Sequence, residues 1–259
     1  MQVPEPPTLE LTDDAFLGGA LQILQPKSAY RAGLDAVLLA AAVPVREGQR
    51  ERVLDAGAGA GVVGLSIARR CPDAQVTLVE VEPRLASLAR KNARRNRLDD
   101  RVQVIAADVT AGGPGLAQAG LFPGLFAHVV ANPPYQVDHR ASRSPDTLKA
   151  RAHGMAEGAL DGWLRFLASA AASGGTVTIV HRTEALPALL AAISPRFGAL
   201  KILPLHPREG EPAGRVIVRG VKGSRGPLQL LPGLVLHGAG HAFRPEIDAI
   251  LRGGEALAL

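Results

Sequence analysis

The sequence predicts an α/β fold: one Rossmann-like, doubly wound domain with a seven-stranded, mostly parallel sheet and an antiparallel edge hairpin. Three observations carry that expectation. Short apolar runs alternate with helical patterns through most of the 259 residues. One such run, Arg52-Val53-Leu54-Asp55, breaks into the glycine-rich turn Gly57-Ala58-Gly59-Ala60-Gly61, and an apolar helical pattern follows through Leu65, Ile67 and Ala68. Three successive runs end on a carboxylate, at Asp55, Glu80 and Asp108.

Taken in order, residues 1–45 read as an N-terminal extension of that domain. Within it a small hairpin spans residues 12–26: Ala15-Phe16-Leu17, a Gly18-Gly19 turn, then the alternating Leu21, Ile23 and Gln25. Tyr30-Arg31-Ala32-Gly33-Leu34-Asp35 leads into an apolar helix over residues 36–43, where Asp35 either opens the helix or faces a ligand. The Rossmann-like core is expected over 46–222. Its first strand covers residues 52–55 and its first helix 61–70, closed by Cys71-Pro72. The second strand, 75–80, ends on Glu80; Glu82 and Pro83 then open a helix as first-turn residues. Arg84, Arg90, Lys91, Arg94, Arg95 and Arg97 make that segment strongly basic, and they read as a solvated face before an RNA contact.

A third strand is expected over 102–106, and the Gly/Pro/Ala-rich residues 111–124 read as an irregular loop. The fourth strand, 126–131, runs directly into Asn132-Pro133-Pro134-Tyr135. Residues 136–155 are polar and basic, with the long-loop character of a functional or disordered segment. A helix over 160–172 carries Trp163, Phe166 and Leu167 on its apolar face. After a Gly174-Gly175 turn come a strand over 176–180, a helix over 183–193, and two strands over 200–205 and 215–221. Residues 223–259 read as a C-terminal extension with a short strand near 228–236 and a helix over 245–251.

Composition narrows the function. Hydrophobic residues make up 47% of the chain and aromatics only 3%, so a sizeable core must be built from Ala, Leu and Val. A net charge of +5 leans toward an anionic partner, nucleic acid first. The single cysteine, Cys71, excludes an intrachain disulfide, fits a reducing compartment and reads as a small buried residue at a helix end. No basic–apolar leader stands at the start, and the longest apolar stretch, residues 36–45, is far short of a membrane span; a cytoplasmic protein without membrane association is expected. The histidines show no ligand spacing, and no metal site is expected.

Ligands of open α/β sheets bind outside the carboxyl ends of the strands, where Asp55, Glu80 and Asp108 would all point. Read literally, Gly59-Ala60-Gly61-Val62-Val63-Gly64 matches a dinucleotide fingerprint. A buried negative charge at Asp55 would nevertheless repel a pyrophosphate. It suits a cofactor with a cationic ammonium and no phosphates, such as S-adenosylmethionine. The three acids could then accept hydrogen bonds from an ammonium, from ribose hydroxyls and from an adenine amino group respectively.

Asn132-Pro133-Pro134-Tyr135 stands at a strand end in the same crevice. An exocyclic amine on a base is a poor nucleophile, because its lone pair is delocalised into the ring. The Asn132 side-chain oxygen and the Pro133 carbonyl can accept hydrogen bonds from that NH₂ and aim the nitrogen at a methyl donor. Consecutive prolines stiffen the turn, and Tyr135 offers a flat face on which an extruded base can stack.

These motifs together resemble the class I S-adenosylmethionine-dependent methyltransferases of the small-domain type. Within them the chain is most similar to the bacterial tRNA adenine amino-methyltransferases that act next to the anticodon of a valine tRNA. The resemblance runs from about Phe16 to Val221 and includes the lead-in Tyr-Arg-Ala-Gly-Leu-Asp-Ala-Val-Leu-Leu. It implies that Asp55, Gly57, Gly59 and Gly61 line the methionine end of the cofactor. Glu80 would take the ribose, Asp108 the adenine ring, and Tyr30 and Asp35 would border the methionine pocket. Asn132, Pro133, Pro134 and Tyr135 would form the catalytic turn, with RNA (tRNA) as the partner; the basic residues 139–153 read, on their charge alone, as the element that guides the RNA or as a disordered loop. Enzymes that methylate a release-factor glutamine carry the same turn, but resemble one another in a separate helical domain ahead of the glycine motif, whereas residues 1–51 here read as hairpin and helix. A binding module without catalysis and an NAD-dependent enzyme are the readings from other classes; the intact turn counts against the first and Asp55 against the second.

Overall fold

The computed structural model describes residues 9–28, 31–133, 159–238 and 240–259. Its sheet is doubly wound and its order follows from the pattern of apolar runs. β3 (Arg52–Ala56), β4 (Gln75–Glu80), β5 (Val102–Ala106) and β6 (Phe126–Ala131) are short, with apolar cores built on Val, Leu, Ile and Ala, and β3, β4 and β6 lie within the sheet. They run parallel in the order β6-β3-β4-β5, with α2 (Val62–Arg70) and α3 (Pro83–Arg95) as crossovers.

Beyond β6 lies β7 (Ala171–Arg182), parallel to it, then β9 (Arg215–Lys222) and β8 (Phe197–His206). β9 is inserted antiparallel to both its neighbours, which is the expected hairpin. Two strands of two residues each, β10 (Gln229–Leu230) and β11 (Leu234–Val235), add to the outer edge of β8 and bring the seven anticipated strands to nine. They come from the C-terminal segment and cover an edge that would otherwise stand open.

Each face of the sheet has its own core. On one side α1 (Leu34–Ala41), α2 and α3 bury Val37, Leu38, Leu65, Ile67 and Leu88 against Val53, Val76, Leu78, Val130 and Val180. On the other, α5 (Ala159–Ala170) and α6 (Leu186–Ile193) bury Leu164, Leu167 and Leu189 against Leu54, Val79, Val129 and Ile179. With so few aromatics, fully buried Leu and Ile side chains supply most of the burial, each worth about 1.5–3 kcal/mol relative to exposure.

The N-terminal hairpin, β1 (Leu11–Phe16) and β2 (Leu21–Pro26), forms its own two-stranded sheet. It docks on α3 through side chains. Asn92 accepts from Leu24 N at 2.9 Å and donates to Leu24 O at 3.0 Å; Asn96 does the same with Gln22 at 2.9 Å each way. Residues four apart on a helix rise about 6 Å and residues two apart on a strand about 6.7 Å, so the two amides match the strand edge.

Several local expectations change. Residues 113–118 form a short helix, α4 (Gly113–Gln118), entered through Gly112 and Pro114. Gly174 and Gly175 lie inside β7, in a bulge where the pairing shifts from Phe126–Ala171 to His128–Thr176. The helix over 183–193 starts as a tight turn, Thr183–Ala185, before α6. The last helix is only α7 (Pro245–Asp248), widening into a π-helical turn over Ala249–Gly253. Cys71 caps α2 as anticipated, but is half-buried; burial holds its thiol above the usual range. Among the described residues no helix is long and apolar enough to cross a membrane.

Candidate active site

The crevice is built where β3, β4 and β6 end. Ala56 pairs with both Val79 and Ala131, so the glycine turn after β3 and the Asn132-Pro133 pair after β6 leave the sheet side by side. Gly57 and Ala58 both donate to Val79 O, at 2.8 and 3.0 Å, which folds the turn back over β4. Gly57 has φ +67°, and a Cβ there would stand 2.3 Å from Cη2 of Trp163 on α5. Only glycine meets both conditions. Gly61, at φ +94°, is the N-cap of α2. Gly59, at φ +57°, faces open space: a Cβ there would meet nothing within 4 Å.

Asp55 is 1% exposed, and its Oδ2 accepts from Gly64 N, in the first turn of α2, at 2.9 Å. Burial pushes its carboxyl up to about 7; the Gly64 N–H offsets part of this and the negative charge of Glu80 adds to it. Glu80, the last residue of β4, is 7% exposed. Its Oε2 accepts from Gly59 N at 2.8 Å and its Oε1 from Glu82 N at 2.9 Å. Burial raises its pKa too, against the pull of those N–H groups. Each oxygen keeps a further lone pair for a ligand hydroxyl or N–H.

The other expected residues fall into three groups. Asp108 lies two residues beyond β5, exposed, with Oδ1 accepting from Thr110 N at 2.8 Å and Thr110 Oγ1 at 2.6 Å. Asn132 is half-buried and Pro133 buried, immediately past β6. Asp35 is in the first turn of α1, whose N-cap is Gly33, and its Oδ2 accepts from Arg215 Nε at 2.9 Å. Tyr30, Pro134 and Tyr135 lie outside the described residues, as do residues 139–153.

Sequence reasoning missed three contributors. Trp163 was legible only as an apolar helix residue, yet its ring backs Gly57. Asn92 stands in a run of cations on α3, and its amide also donates to Ala60 O at 2.9 Å, inside the glycine turn. A neutral amide among arginines was the available signal. Arg215 reaches the site from β9, far along the chain, and no local pattern marks it. The solvated reading holds for Lys91 and Arg94 on α3 and for Arg97 just past it, all exposed; Arg95, also exposed, pairs with Asp13 at 2.5 Å.

The donor set fits S-adenosylmethionine. The crevice presents buried carboxylates, an open glycine cradle at Gly59 and Asn132 beside it. A buried carboxyl that feels the charge of a second carboxylate is relieved by a cation and strained further by a phosphate. A separate cavity of about 470 Å³ opens at the other end of the sheet, beside Arg52, Gln75, Thr77 and Gln103. It has no part in this crevice.

Comparison with known proteins agrees with this geometry. The profile of the methyltransferase small domain matches residues 31–160. A protein of Bacteroides thetaiotaomicron named tRNA1(Val) (adenine(37)-N6)-methyltransferase is 33% identical over 162 residues, 61% of this chain and 62% of its own length. One of the same name from Actinobacillus pleuropneumoniae is 30% identical over 200 residues, 76% of this chain and 78% of its own. The matched region thus spans less than two thirds of the first relative and more than three quarters of the second. The crystal structure of a predicted O-methyltransferase from Agrobacterium tumefaciens superposes with a TM-score of 0.73 at 33% identity, over 87% of this chain and 99% of that one. The profile match over residues 31–160, half of the chain, shows that this chain belongs to the methyltransferase small domain family.

Proposed function

We propose that this protein transfers the methyl group of S-adenosylmethionine to the exocyclic amine of an adenine in tRNA. One observation carries the reading: Ala56 and Ala131 are paired, so the cofactor turn and the Asn132 turn stand next to each other. When bound, the cofactor would supply an electrophilic sulfonium methyl: the amine lone pair forms the new N–C bond, the S–C bond breaks with its electron pair going to sulfur to leave S-adenosylhomocysteine, and the extra proton on nitrogen passes to water. The rest is positioning by this chain. Asn132 Oδ1 and the Pro133 carbonyl accept from the NH₂ and favour the positive charge that develops on nitrogen. Both lie beside buried surface, where such hydrogen bonds act against little competing water.

Asp55, Gly57, Gly59 and Gly61 then hold the methionine end, Glu80 the ribose and Asp108 the adenine ring. Asp35 borders the methionine pocket with Tyr30, and Pro134 and Tyr135 complete the turn and stack the base. Residues 1–45 and 223–259 act as extensions of one catalytic domain. The named activity of the two tRNA-modifying relatives points to tRNA as the acceptor, and the basic composition agrees. A tRNA acceptor would place the protein in the cytoplasm.

Labelled S-adenosylmethionine offered with bulk tRNA, ribosomal RNA, DNA or purified release factor tests the reading directly. Label in amino-methylated adenosine from tRNA digests is the expected result. Label on glutamine of the release factor would keep the cofactor and the turn but overturn the acceptor.

A further inference from the structure

The rim beside Asn132 brings two arginines face to face, one of them, Arg215, also paired with Asp35. Arg182, the last residue of β7, and Arg215, the first of β9, are directly opposite in the antiparallel register. Like charges in that arrangement repel and weaken a sheet. The preceding pair on the same face, Val180 and Ile217, is fully buried and apolar, as a stable strand end would prefer. Violations of a local rule concentrate at functional sites.

The backbone under the two arginines is firmly tied. Thr183 Oγ1 donates to Ala213 O at 2.6 Å, Thr183 N to Gly214 O at 3.3 Å, and Arg215 Nη1 to Gly214 O at 3.0 Å. Arg182 is exposed, while Arg215 is turned toward α1 by its pairing with Asp35. His181, the residue before Arg182 and opposite Val216, is buried, with Nδ1 accepting from Arg182 N at 2.9 Å. Burial lowers its pKa, and the charges of Arg215 and Arg182 lower it further, while Glu184 opposes them.

The pair lies close to the proposed acceptor site. Ala131 pairs with Ile179, so Asn132 is level with Val180 and Arg182 stands about 7 Å further along and about 5 Å across. Arg215 is one strand beyond. That offset is what separates the edge of a base from its own backbone. We propose that Arg182 and Arg215 seat a backbone phosphate of the RNA that flanks the adenine entering the Asn132 turn. The inference rests on the acceptor reading above. Asp35 competes with the phosphate for the Arg215 guanidinium, so that arginine adds a moderate, salt-sensitive contribution.

The test measures tRNA affinity and the KM for tRNA over a salt series, for the wild type, Arg182→Ala, Arg215→Ala and Arg215→Lys. Removing either guanidinium from the phosphate should weaken tRNA binding about tenfold and lower the slope of log affinity against log salt by about one. S-adenosylhomocysteine affinity should be unchanged in Arg182→Ala, and turnover at saturating tRNA should stay near that of the wild type. Arg215→Lys should keep the slope, which separates charge from packing against Asp35. Arg252→Ala, on the π-helical turn, serves as a remote control with an unchanged slope. Slopes that stay at the wild-type value in both alanine variants would overturn the proposal while tRNA methylation stands. Failure of the wild type to methylate tRNA would remove the acceptor reading, and this inference with it.

Discussion

The side-chain amide of Asn92 donates to Ala60 O at 2.9 Å and to Leu24 O at 3.0 Å, joining the glycine turn to the N-terminal hairpin through one fully buried residue. Its oxygen accepts from Leu24 N, so every polar group of the amide is used. Asn96, four residues on, touches the hairpin but not the turn.

The two asparagines should therefore differ when replaced. Asn92→Leu leaves Leu24 N, Leu24 O and Ala60 O without this partner, and buried groups so stranded cost about 1–3 kcal/mol each. A fall in Tm on the order of 5 °C or more is expected, together with weaker S-adenosylhomocysteine binding. Asn96→Leu should lower Tm and spare cofactor affinity. Thermal melts and calorimetric titration of both variants check this; equal affinity in the two would show that the turn does not depend on Asn92.

Gly57 meets Trp163 too closely for any side chain. Gly57→Ala places a methyl 2.3 Å from the ring at φ +67°, so both the steric and the backbone penalty apply. A loss of several kcal/mol of stability or of cofactor binding is expected. Trp163→Leu in the Gly57→Ala background should recover part of it, because the ring is removed and the backbone strain stays. No recovery would mean that the contact is not the cause.

Asp55 gives a pH dependence with a definite sign. Its folded pKa, about 7, is raised above the ordinary value of 3.8, so its stabilising contribution is complete below 3.8 and is lost as pH rises through about 7. A cationic ligand favours the ionised form. Cofactor affinity should therefore rise with pH up to about 7 and level off above it, with proton release on binding below that point. Asp55→Asn keeps an oxygen for Gly64 N and should abolish both trends. Calorimetry in buffers of different ionisation enthalpy counts the protons; an affinity flat across that range in the wild type would contradict the account.

The sheet was readable because short apolar runs ending on acids are a local signal, and Asp55, Glu80 and Asp108 lie at or just past the carboxyl ends of their strands. Asn132 and Pro133 stand immediately past β6, where the apolar run 126–131 puts them. What escaped is tertiary. Asn92 and Asn96 pair with a strand about 70 residues earlier, at separations of 68 and 74, which no helical period announces. Gly174-Gly175 has the composition of a turn but sits in a bulge, since β6 continues to pair on both sides of it. The Arg182–Arg215 opposition exists only once the register of β7 and β9 is known.

The central claim is that the Asn132 turn aligns the acceptor amine and does not hold the cofactor. Single-turnover methyl transfer by Asn132→Ala, at saturating tRNA and cofactor, tests it most directly. The account predicts a rate reduced by about 10²–10³ with S-adenosylhomocysteine affinity unchanged. Methyl transfer at the wild-type rate would contradict it.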